Sequence, residues 1–237
     1  MRLLEKIVMI SVCLATYNGM PYLPEQINSI LSQLSPNDEV VISDDHSTDN
    51  TIEYLKSLND DRIKIHVNRS KGFVSNFENA MRLAQGDFIF LSDQDDIWMP
   101  NKVKVCMEAL QKYSLVNHNS QIVDAQNRDL GKDFFTLHGS KQGYWQNLLR
   151  NSYVGCCMAF RREMLFHFLP FPPQIASHDI WMGLMAERRG NPTFISEPLI
   201  RQRRHGGNTS STSEPSRLPK LYQLQYRWYM FWNSLKR

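Results

Sequence analysis

Three clusters of polar side chains follow short apolar segments of the sequence and contain most of the residues that could do chemistry. The clusters are Thr16-Tyr17-Asn18, Asp44 to Asp49, and Ser92 to Asp96. Carboxylates placed as closely as Asp93, Asp95 and Asp96 repel one another and raise one another's pKa unless a cation neutralises them. The third cluster therefore indicates either a hard divalent ion, Mg²⁺ or Mn²⁺, or an acidic loop at the start of the next helix.

The residues available around such an ion point to a phosphate ligand. Mg²⁺ and Mn²⁺ favour one or two carboxylates together with substrate phosphates, which predicts a nucleotide diphosphate. The sequence lacks G-x-G-x-x-G and G-x-x-x-x-G-K-[ST], so dehydrogenases and ordinary NTPases are excluded. Basic side chains must then help to hold the phosphates. Arg201, Arg203 and Arg204 are candidates, of which at most Arg201 and Arg203 share a strand face with His205.

The elements that position these clusters alternate along the chain. Predicted strands lie at 7–15, 39–43, 63–67 and 88–91, and predicted helices at 23–33, 51–58, 73–84 and after Pro100. This alternation is typical of βαβ units with a largely parallel sheet. Because ligands bind outside the carboxyl ends of such strands, the three clusters should face one crevice. The later half is less regular, with strands at 115–118, 122–124, 193–195 and 199–203 and helices at 144–150 and 178–189.

Composition limits the class of protein. The chain has 237 residues, 42% hydrophobic and 22% charged, which is enough to form a sizeable core. The formal net charge of +3 is too small to indicate a nucleic-acid partner. Four cysteines without C-x-x-C spacing predict neither a zinc site nor disulfides, and so a reducing compartment. The apolar run 7–15 lacks a clear cleavage site and falls short of the ~18 residues of a membrane span, so we expect a cytoplasmic protein.

The C-terminal end differs from the rest of the chain. From Arg201 onward there are eight basic residues and one acidic residue. Residues 206–216 have the composition of a flexible loop, either a lid or a linker. Residues 217–237 carry leucines and aromatic residues at helical spacing, with basic residues and no acid, and are predicted to form an amphipathic helix. That helix either lies on the cytoplasmic face of the inner membrane or packs on the catalytic domain or a second copy.

Five segments taken in order resemble family 2 glycosyltransferases with the GT-A fold, and within them bacterial rhamnosyltransferases. The segments are SVCLATYNG, ISDDHSTDNT, LSDQDDIW, SHDIWMG and RQRRHGGNTS. The resemblance covers roughly residues 8–210 and implies a mostly parallel α/β sheet flanked by helices. It also implies a catalytic domain over 1–205, with a nucleotide-binding half at about 1–112 and an acceptor half at about 113–205.

The resemblance also implies roles for individual residues. Thr16 and Tyr17 would line the nucleoside site, and Asp45, with Asp44, would accept hydrogen bonds from base and ribose. Asp93 would contact the ribose.

Two further positions concern the metal. Asp95 would bind it as the second aspartate of the family's D-x-D motif, whose usual small middle residue is Gln94 here. His205 matches a histidine that in some relatives completes the metal shell or touches a phosphate; read without the resemblance, it is a surface histidine in a basic strand.

Asp179 matches the family's catalytic base, in a position where relatives often have Glu-Asp and this chain has His178-Asp179. One carboxylate suffices for inversion, because it needs only to remove the acceptor's hydroxyl proton. Asp179 could equally be a helix cap, and the two roles are compatible since a helix N-terminus keeps a carboxylate ionised.

These observations predict a metal-dependent inverting glycosyltransferase. It would move rhamnose from dTDP-rhamnose, or a hexose from a UDP-sugar, onto a growing bacterial cell-surface polysaccharide or a lipid-linked glycan. One alternative is an aspartyl phosphatase, because Asp93 to Ile97 loosely resembles a D-x-D-x-[TV] loop with Asp93 as nucleophile. The other is a non-catalytic module that binds a membrane or a partner through its C-terminal helix.

Overall fold

The computed structural model describes residues 8–206, 208 and 219–237. Its strands are β1 Ile10–Thr16, β2 Glu39–Asp44, β3 Ile63–Val67, β4 Phe88–Ser92, β5 Ile97–Trp98, β6 Leu115–Asp124, β7 Asp129–Asp133, β8 Met158–Arg161 and β9 Pro192–Arg204. Its helices are α1 Leu23–Leu31, α2 Thr51–Ser57, α3 Phe73–Leu83, α4 Lys102–Leu110, α5 Phe134–His138, α6 Tyr144–Leu149, α7 Leu165–Phe168, α8 His178–Arg189 and α9 Lys220–Lys236. The strands form one sheet that runs through both halves of the chain.

The first half of the sheet is a parallel layer in the order β3-β2-β1-β4. Apolar residues of β1, β2 and β4 are almost fully buried, and helices α1 and α3 pack on the sheet through apolar faces. Thr16 at the end of β1 pairs with Asp44 at the end of β2, and Leu14 pairs with Ser92 at the end of β4. The predicted alternation of strands and helices is confirmed, and it brings the three polar clusters to one edge.

The second half of the sheet is mixed. Strand β8 runs antiparallel to both β4 and β6, whereas β9 runs parallel to β6 and antiparallel to β5. Parallel pairing therefore dominates in the first half alone. The short β5–β9 pair has a functional consequence, because it places the loop after β4 beside the end of β9.

Two strands are longer than predicted. The segments 115–118 and 122–124 form the single strand β6, and 193–195 and 199–203 form the single strand β9. The polar stretch between the two predicted parts of β6 stays in the strand because its side chains are hydrogen-bonded. The amide of Asn119 donates to Asp133 Oδ1, and the hydroxyl of Ser120 donates to Gln202 Oε1. The register shifts around Asn119 provide a bulge where a break was expected.

The C-terminal helix α9 packs against α6 and α8. Met230 and Ser234 are buried there, and the Ser234 hydroxyl lies 2.5 Å from the Tyr144 hydroxyl. We expected this helix to lie on a membrane, to pack on the catalytic domain or to contact a second copy. Within the single chain it packs on the catalytic domain. No helix in the described ranges has the length and apolarity that crossing a bilayer requires. The predicted loop 206–216 lies outside the described residues except for Gly206 and Asn208.

Candidate active site

A cavity of about 520 Å³ opens at the carboxyl ends of the parallel strands. Its walls include Asp45 after β2, Asp93, Asp95 and Asp96 after β4, and Asp179 at the start of α8. Ligand pockets for small molecules commonly measure roughly 300–1,000 Å³. Carboxylates that are far apart in sequence therefore meet around a space that can hold a ligand.

One end of the cavity is formed by Thr16, Tyr17 and Asp45. The Asp45 carboxylate accepts hydrogen bonds from Asn68 Nδ2 at 2.9 Å and from the backbone N–H of Gly72 at 2.8 Å. Gly72 has a φ of +105°, a conformation that a residue with a side chain adopts only with strain. The loop before α3 is thus shaped to hold Asp45 at the cavity wall.

Asp44 occupies a different environment from Asp45. Its carboxylate accepts hydrogen bonds from Thr16 Oγ1 at 2.8 Å, from Ser47 N at 2.7 Å and from Ser47 Oγ at 2.6 Å. It is 2% exposed and is not among the residues that line the cavity. The carboxylate joins the loops after β1 and β2, and this geometry does not support the predicted contact of Asp44 with a nucleotide.

Gln94, the middle residue of the Asp93-Gln94-Asp95 segment, connects two loops. Its Nε2 donates to Tyr17 O at 2.9 Å, and its Oε1 accepts from Tyr17 N at 2.8 Å. Gly19 makes room for this side chain, because a Cβ at that position would lie 2.5 Å from Gln94 Oε1. The long side chain that departs from the family pattern therefore has a structural partner, which the sequence did not reveal.

Asp95 lies beside two residues from the end of β9. Its Oδ2 is 2.9 Å from His205 Nε2 and 3.1 Å from Asn208 Nδ2. Asn208 Oδ1 accepts from His205 N at 2.7 Å, and the His205 ring stacks on Tyr22 with centroids 4.5 Å apart. The structure brings the two predicted metal ligands together. It adds Asn208, whose only sequence signal was its place in the segment RQRRHGGNTS.

The three arginines of β9 have different surroundings. Arg203 is buried, and its guanidinium donates to Asp95 O at 3.0 Å, to Ala125 O at 2.8 Å and to Glu25. Arg201 is exposed, whereas Arg203 and Arg204 line the cavity. All three were candidates for holding the phosphates, and the guanidinium of Arg203 also supports the Asp95 loop. Arg204 reaches the cavity wall because it is the last residue of its strand.

The carboxylates of the loop after β4 share a negative field. Burial, followed by repulsion from Asp96 and Asp95, holds the pKa of Asp93 well above its usual value. Burial and Asp95 likewise raise the pKa of Asp96, whose Oδ1 accepts from Arg203 N at 3.0 Å and whose Oδ2 is a buried atom without a hydrogen-bond partner. Such a group of carboxylates favours a bound cation.

The donor atoms fit a hard divalent ion. Among the described residues, oxygens of Asp93 and Asp96 and the sulfur of Cys156 lie within 4.8 Å of one another. Hydrogen bonding with Cys157 and burial raise the pKa of the Cys156 thiol, so it stays protonated and is a poor ligand. The carboxylates, with the imidazole of His205 beside Asp95, are the oxygen-rich set that Mg²⁺ and Mn²⁺ take.

Asp179 has the properties of a general base. Its Oδ1 accepts from Ile180 N at 2.7 Å and from the Ser177 hydroxyl. Burial raises the pKa of Asp179 to about 6, which is close to the pH at which most enzymes operate. Because these hydrogen bonds fall on one oxygen, the other keeps its lone pairs for a proton.

Comparison with known proteins was made by family model, sequence and structure. The model "Glycosyl transferase family 2" matches residues 11–168. The chain belongs to glycosyl transferase family 2. The predicted family is thus confirmed, although Asp179 and His205 lie outside the matched residues.

Two relatives cover most of the chain. A UDP-Glc:alpha-D-GlcNAc-diphosphoundecaprenol beta-1,3-glucosyltransferase, WfgD of Escherichia coli, is 26% identical over 223 residues, covering 93% of this chain and 84% of WfgD. The dTDP-rhamnosyl transferase RfbG of Shigella flexneri is 26% identical over 234 residues, covering 91% of this chain and 80% of RfbG.

Solved structures agree on the fold. Residues 1–349 of S. aureus TarS, in complex with UDP-GlcNAc, superpose with a TM-score of 0.73 at 19% identity, over 95% of this chain and 67% of that one. The mannosyltransferase PcManGT from Pyrobaculum calidifontis, in complex with GDP-Man and Mn²⁺, gives a TM-score of 0.58 at 20% identity, over 80% of this chain and 54% of that one. The family 2 chain therefore has the predicted GT-A fold.

The residue before Asp179 departs from the Glu-Asp pattern in a way the structure explains. His178 is 5% exposed, neither of its ring nitrogens has a hydrogen-bond partner, and its ring packs on Phe77 with centroids 4.1 Å apart. Burial lowers the pKa of His178 to about 3, so the ring is neutral. The neutral ring adds an uncharged wall beside the base, where a glutamate would add a second carboxylate.

The segment that leads to Asp179 is held by the C-terminal helix. The backbone N–H of Ala176 donates to the Tyr226 hydroxyl at 3.0 Å, and the Tyr229 hydroxyl donates to Pro173 O. From the sequence, α9 could lie on a membrane, on the catalytic domain or on a second copy. These contacts make it part of the support of the site.

Proposed function

We propose that this family 2 glycosyltransferase is a metal-dependent, inverting enzyme that uses a nucleotide-diphosphate sugar. The observation that carries the proposal is the convergence of Asp45, Asp95 and Asp179 on one cavity of about 520 Å³. Asp45 lies at the nucleoside end, Asp95 beside His205, and Asp179 at the start of α8. This order fits the binding of a base, a diphosphate and an acceptor hydroxyl in sequence.

The nucleoside end would bind the base and ribose through Thr16, Tyr17 and Asp45, with Asp93 toward the ribose. Asp45 keeps two fixed hydrogen bonds, so it can accept from a ligand without rearranging. The donor we favour is dTDP-rhamnose, with UDP-hexoses as the competing class. RfbG and WfgD, named for these two donor types, support both.

The diphosphate would lie over Asp95 and His205, with Arg203 and Arg204 as basic residues of the cavity wall. Mn²⁺ or Mg²⁺ held by these residues would supply positive charge to the departing diphosphate. Arg203 and Gln94 help to keep Asp95 in place. The guanidinium of Arg203 donates to Asp95 O, and Gln94, the residue before Asp95, is hydrogen-bonded to Tyr17.

The base step would belong to Asp179. Its free oxygen would accept the proton of the acceptor hydroxyl as that oxygen attacks the anomeric carbon from the face opposite the leaving diphosphate. A single displacement of this kind inverts the anomeric centre and requires no covalent intermediate on the enzyme. We propose a growing bacterial surface polysaccharide or a lipid-linked glycan as the acceptor.

The two alternatives have less support. A phosphatase with Asp93 as nucleophile requires an ionised carboxylate, and the pKa of Asp93 is raised well above its usual value. A non-catalytic module would not need a base with a pKa of about 6 in a cavity with four other carboxylates.

A donor screen tests the proposal. The chain is incubated with dTDP-rhamnose, UDP-glucose, UDP-galactose and UDP-N-acetylglucosamine, with Mn²⁺ or with chelator, and release of the nucleoside diphosphate is measured. We expect metal-dependent release from one donor, and NMR of the product should show an inverted anomeric centre. Retention of configuration, or turnover that is unaffected by chelator, contradicts the mechanism.

A further inference from the structure

The outward face of α9 and the adjoining end of α6 form an exposed apolar surface. It consists of Trp145, Leu149, Leu221, Leu224, Trp228, Trp232 and Leu235, whose exposed fractions run from 40% for Leu235 to 68% for Leu221. We call this set the tryptophan face. Three tryptophans at such exposure present on the order of 400 Å² of mostly apolar area, as much as the largest patch of a typical soluble monomer.

The aromatic rings of this face form a continuous row. Trp145 and Phe231 have centroids 5.7 Å apart, Phe231 and Trp228 also 5.7 Å, and Trp228 and Trp232 6.2 Å. The row crosses from one helix to the other. Met230 and Ser234 on the opposite side of α9 are buried against the rest of the chain, so the row is a surface of the folded chain, and no rearrangement is needed to expose it.

Positive charge borders the row. Lys236 Nζ lies 5.5 Å from the centre of the Trp232 ring, and Arg227 donates to Leu149 O at 2.8 Å at the edge of the face. Residues 219–237 contain Lys220 and Arg237 as well, and no acidic residue. Aromatic side chains with basic neighbours are the composition that binds the headgroup region of an anionic bilayer.

We infer that the tryptophan face docks on the surface of an anionic lipid bilayer, with its rings at the boundary between headgroups and acyl chains. The inference goes beyond the proposed function and does not depend on it. Charge argues against a second copy as the occupant. Two such faces would bring Lys236 and Arg227 against like charges, and the helix has no acid to neutralise them.

Docking would place the chemistry close to the membrane. The inner side of α9 holds Ala176 and Pro173 just before Asp179, while the outer side carries Trp228 and Trp232. One helix diameter, about 10 Å, separates these sides. The location expected from the sequence, the cytoplasmic face of the inner membrane, agrees with this arrangement.

The first test uses the unaltered chain and its own fluorescence. Vesicles of phosphatidylglycerol and phosphatidylcholine, with acyl chains brominated near the headgroup, are added and tryptophan emission is followed. Trp145, Trp228 and Trp232 are exposed, whereas Trp98 and Trp181 are buried and serve as an internal reference. We expect quenching of the exposed fraction by anionic vesicles, reduced at high salt. Emission that is unchanged by these vesicles overturns the inference.

The second test compares variants by vesicle co-sedimentation. Trp228→Ser/Trp232→Ser should weaken binding by about tenfold or more, because both rings leave the interface. Lys220→Gln/Lys236→Gln should weaken it by about fivefold per removed charge on anionic vesicles alone. The control is Leu130→Ser, which removes a comparably exposed apolar side chain from β7.

The outcomes separate the possible occupants. Equal loss of binding in Leu130→Ser and in the double tryptophan variant contradicts a specific face. The unaltered chain could instead fail to bind vesicles and form a concentration-dependent dimer in sedimentation velocity. If Trp228→Ser/Trp232→Ser then abolishes the dimer, the occupant of the face is a second copy and not a bilayer. Donor turnover is not a readout here, so failure of this inference is distinguishable from failure of the proposed function.

Discussion

The carboxylates at the two sides of the cavity differ in how far their oxygens are already occupied. After β2, Asp44 and Asp45 accept defined hydrogen bonds from neighbouring loops. After β4 and at the start of α8, burial and mutual repulsion raise the pKa values of Asp93, Asp96 and Asp179. The carboxylates of the first side are held in fixed positions, whereas burial makes those of the second side costly to ionise, so that a bound cation would stabilise their charged form.

The largest expected effect comes from the side of the cavity formed by the loop after β4 and the start of α8. Asp179→Asn should lower kcat by about 10²–10⁴-fold, because the amide cannot accept the acceptor's proton. Donor affinity, measured by calorimetry with Mn²⁺, should stay within about threefold of the unaltered chain. Turnover close to normal removes Asp179 from the role of base.

The same substitution should stabilise the fold at neutral pH. A carboxyl whose folded pKa, about 6, exceeds its unfolded value binds protons more tightly when folded, so its stabilising contribution is complete at low pH and is lost as pH rises through 6. At pH 8, without donor or metal, Asp179→Asn removes this penalty and should raise Tm by roughly 2–6 °C. An unchanged or lower Tm at pH 8 contradicts the burial of this charge.

The metal position gives the next largest effect. His205→Ala should weaken the apparent affinity for Mn²⁺, measured as activation of donor turnover, by about 10–100-fold. The control His167→Ala removes a histidine of α7 whose ring packs on Phe166. Equal metal dependence in the two variants would leave His205 as a partner of Asp95 alone.

The dependence of activity on pH tests the role of Asp179 in the unaltered chain. Because Asp179 must be ionised to act, log(kcat/KM) should fall with a slope of about 1 per pH unit below about pH 6 and level off above it. The Asp179→Asn variant should lose this limb. A limb that persists in the variant belongs to another group.

The loop after β2 is expected to give the smallest effects, with a contrast between the adjacent residues Asp44 and Asp45. Asp44→Asn should lower stability by about 1–3 kcal/mol, because the hydroxyls of Thr16 and Ser47 lose the oxygen that accepts from both, with donor KM changed by less than about threefold. Asp45→Asn should raise donor KM by about tenfold with a smaller loss of Tm. Thermal melts and donor titrations of both variants decide whether the two aspartates divide their tasks in this way.

The parallel half could be predicted well from the sequence because its signals are local. Each strand is a short apolar run, and a polar cluster follows three of the four, so the convergence of Asp45 and Asp95 was predictable from strand direction. Helix α8 was also predicted with its observed ends, His178 and Arg189.

The rest depended on contacts that a single sequence does not record. Polar residues inside β6 suggested a break, but Asn119 and Ser120 are hydrogen-bonded to residues of the neighbouring strands. The environment of Asp44 could not be predicted, because it is adjacent to Asp45 in sequence but buried beneath the loop. The contact of Asn208 with Asp95 and the hydrogen bond from Ala176 to Tyr226 arise from loop and helix packing, for which sequence periodicity gives no signal.

The double hydrogen bond between Gln94 and Tyr17 has a consequence for which donors can fit. It ties the loop after β1 to the loop after β4, so the distance from the nucleoside wall to Asp95 is fixed before any ligand arrives. For the proposed nucleotide donor, this fixed spacing would make the length of the phosphate chain part of the selection among ligands.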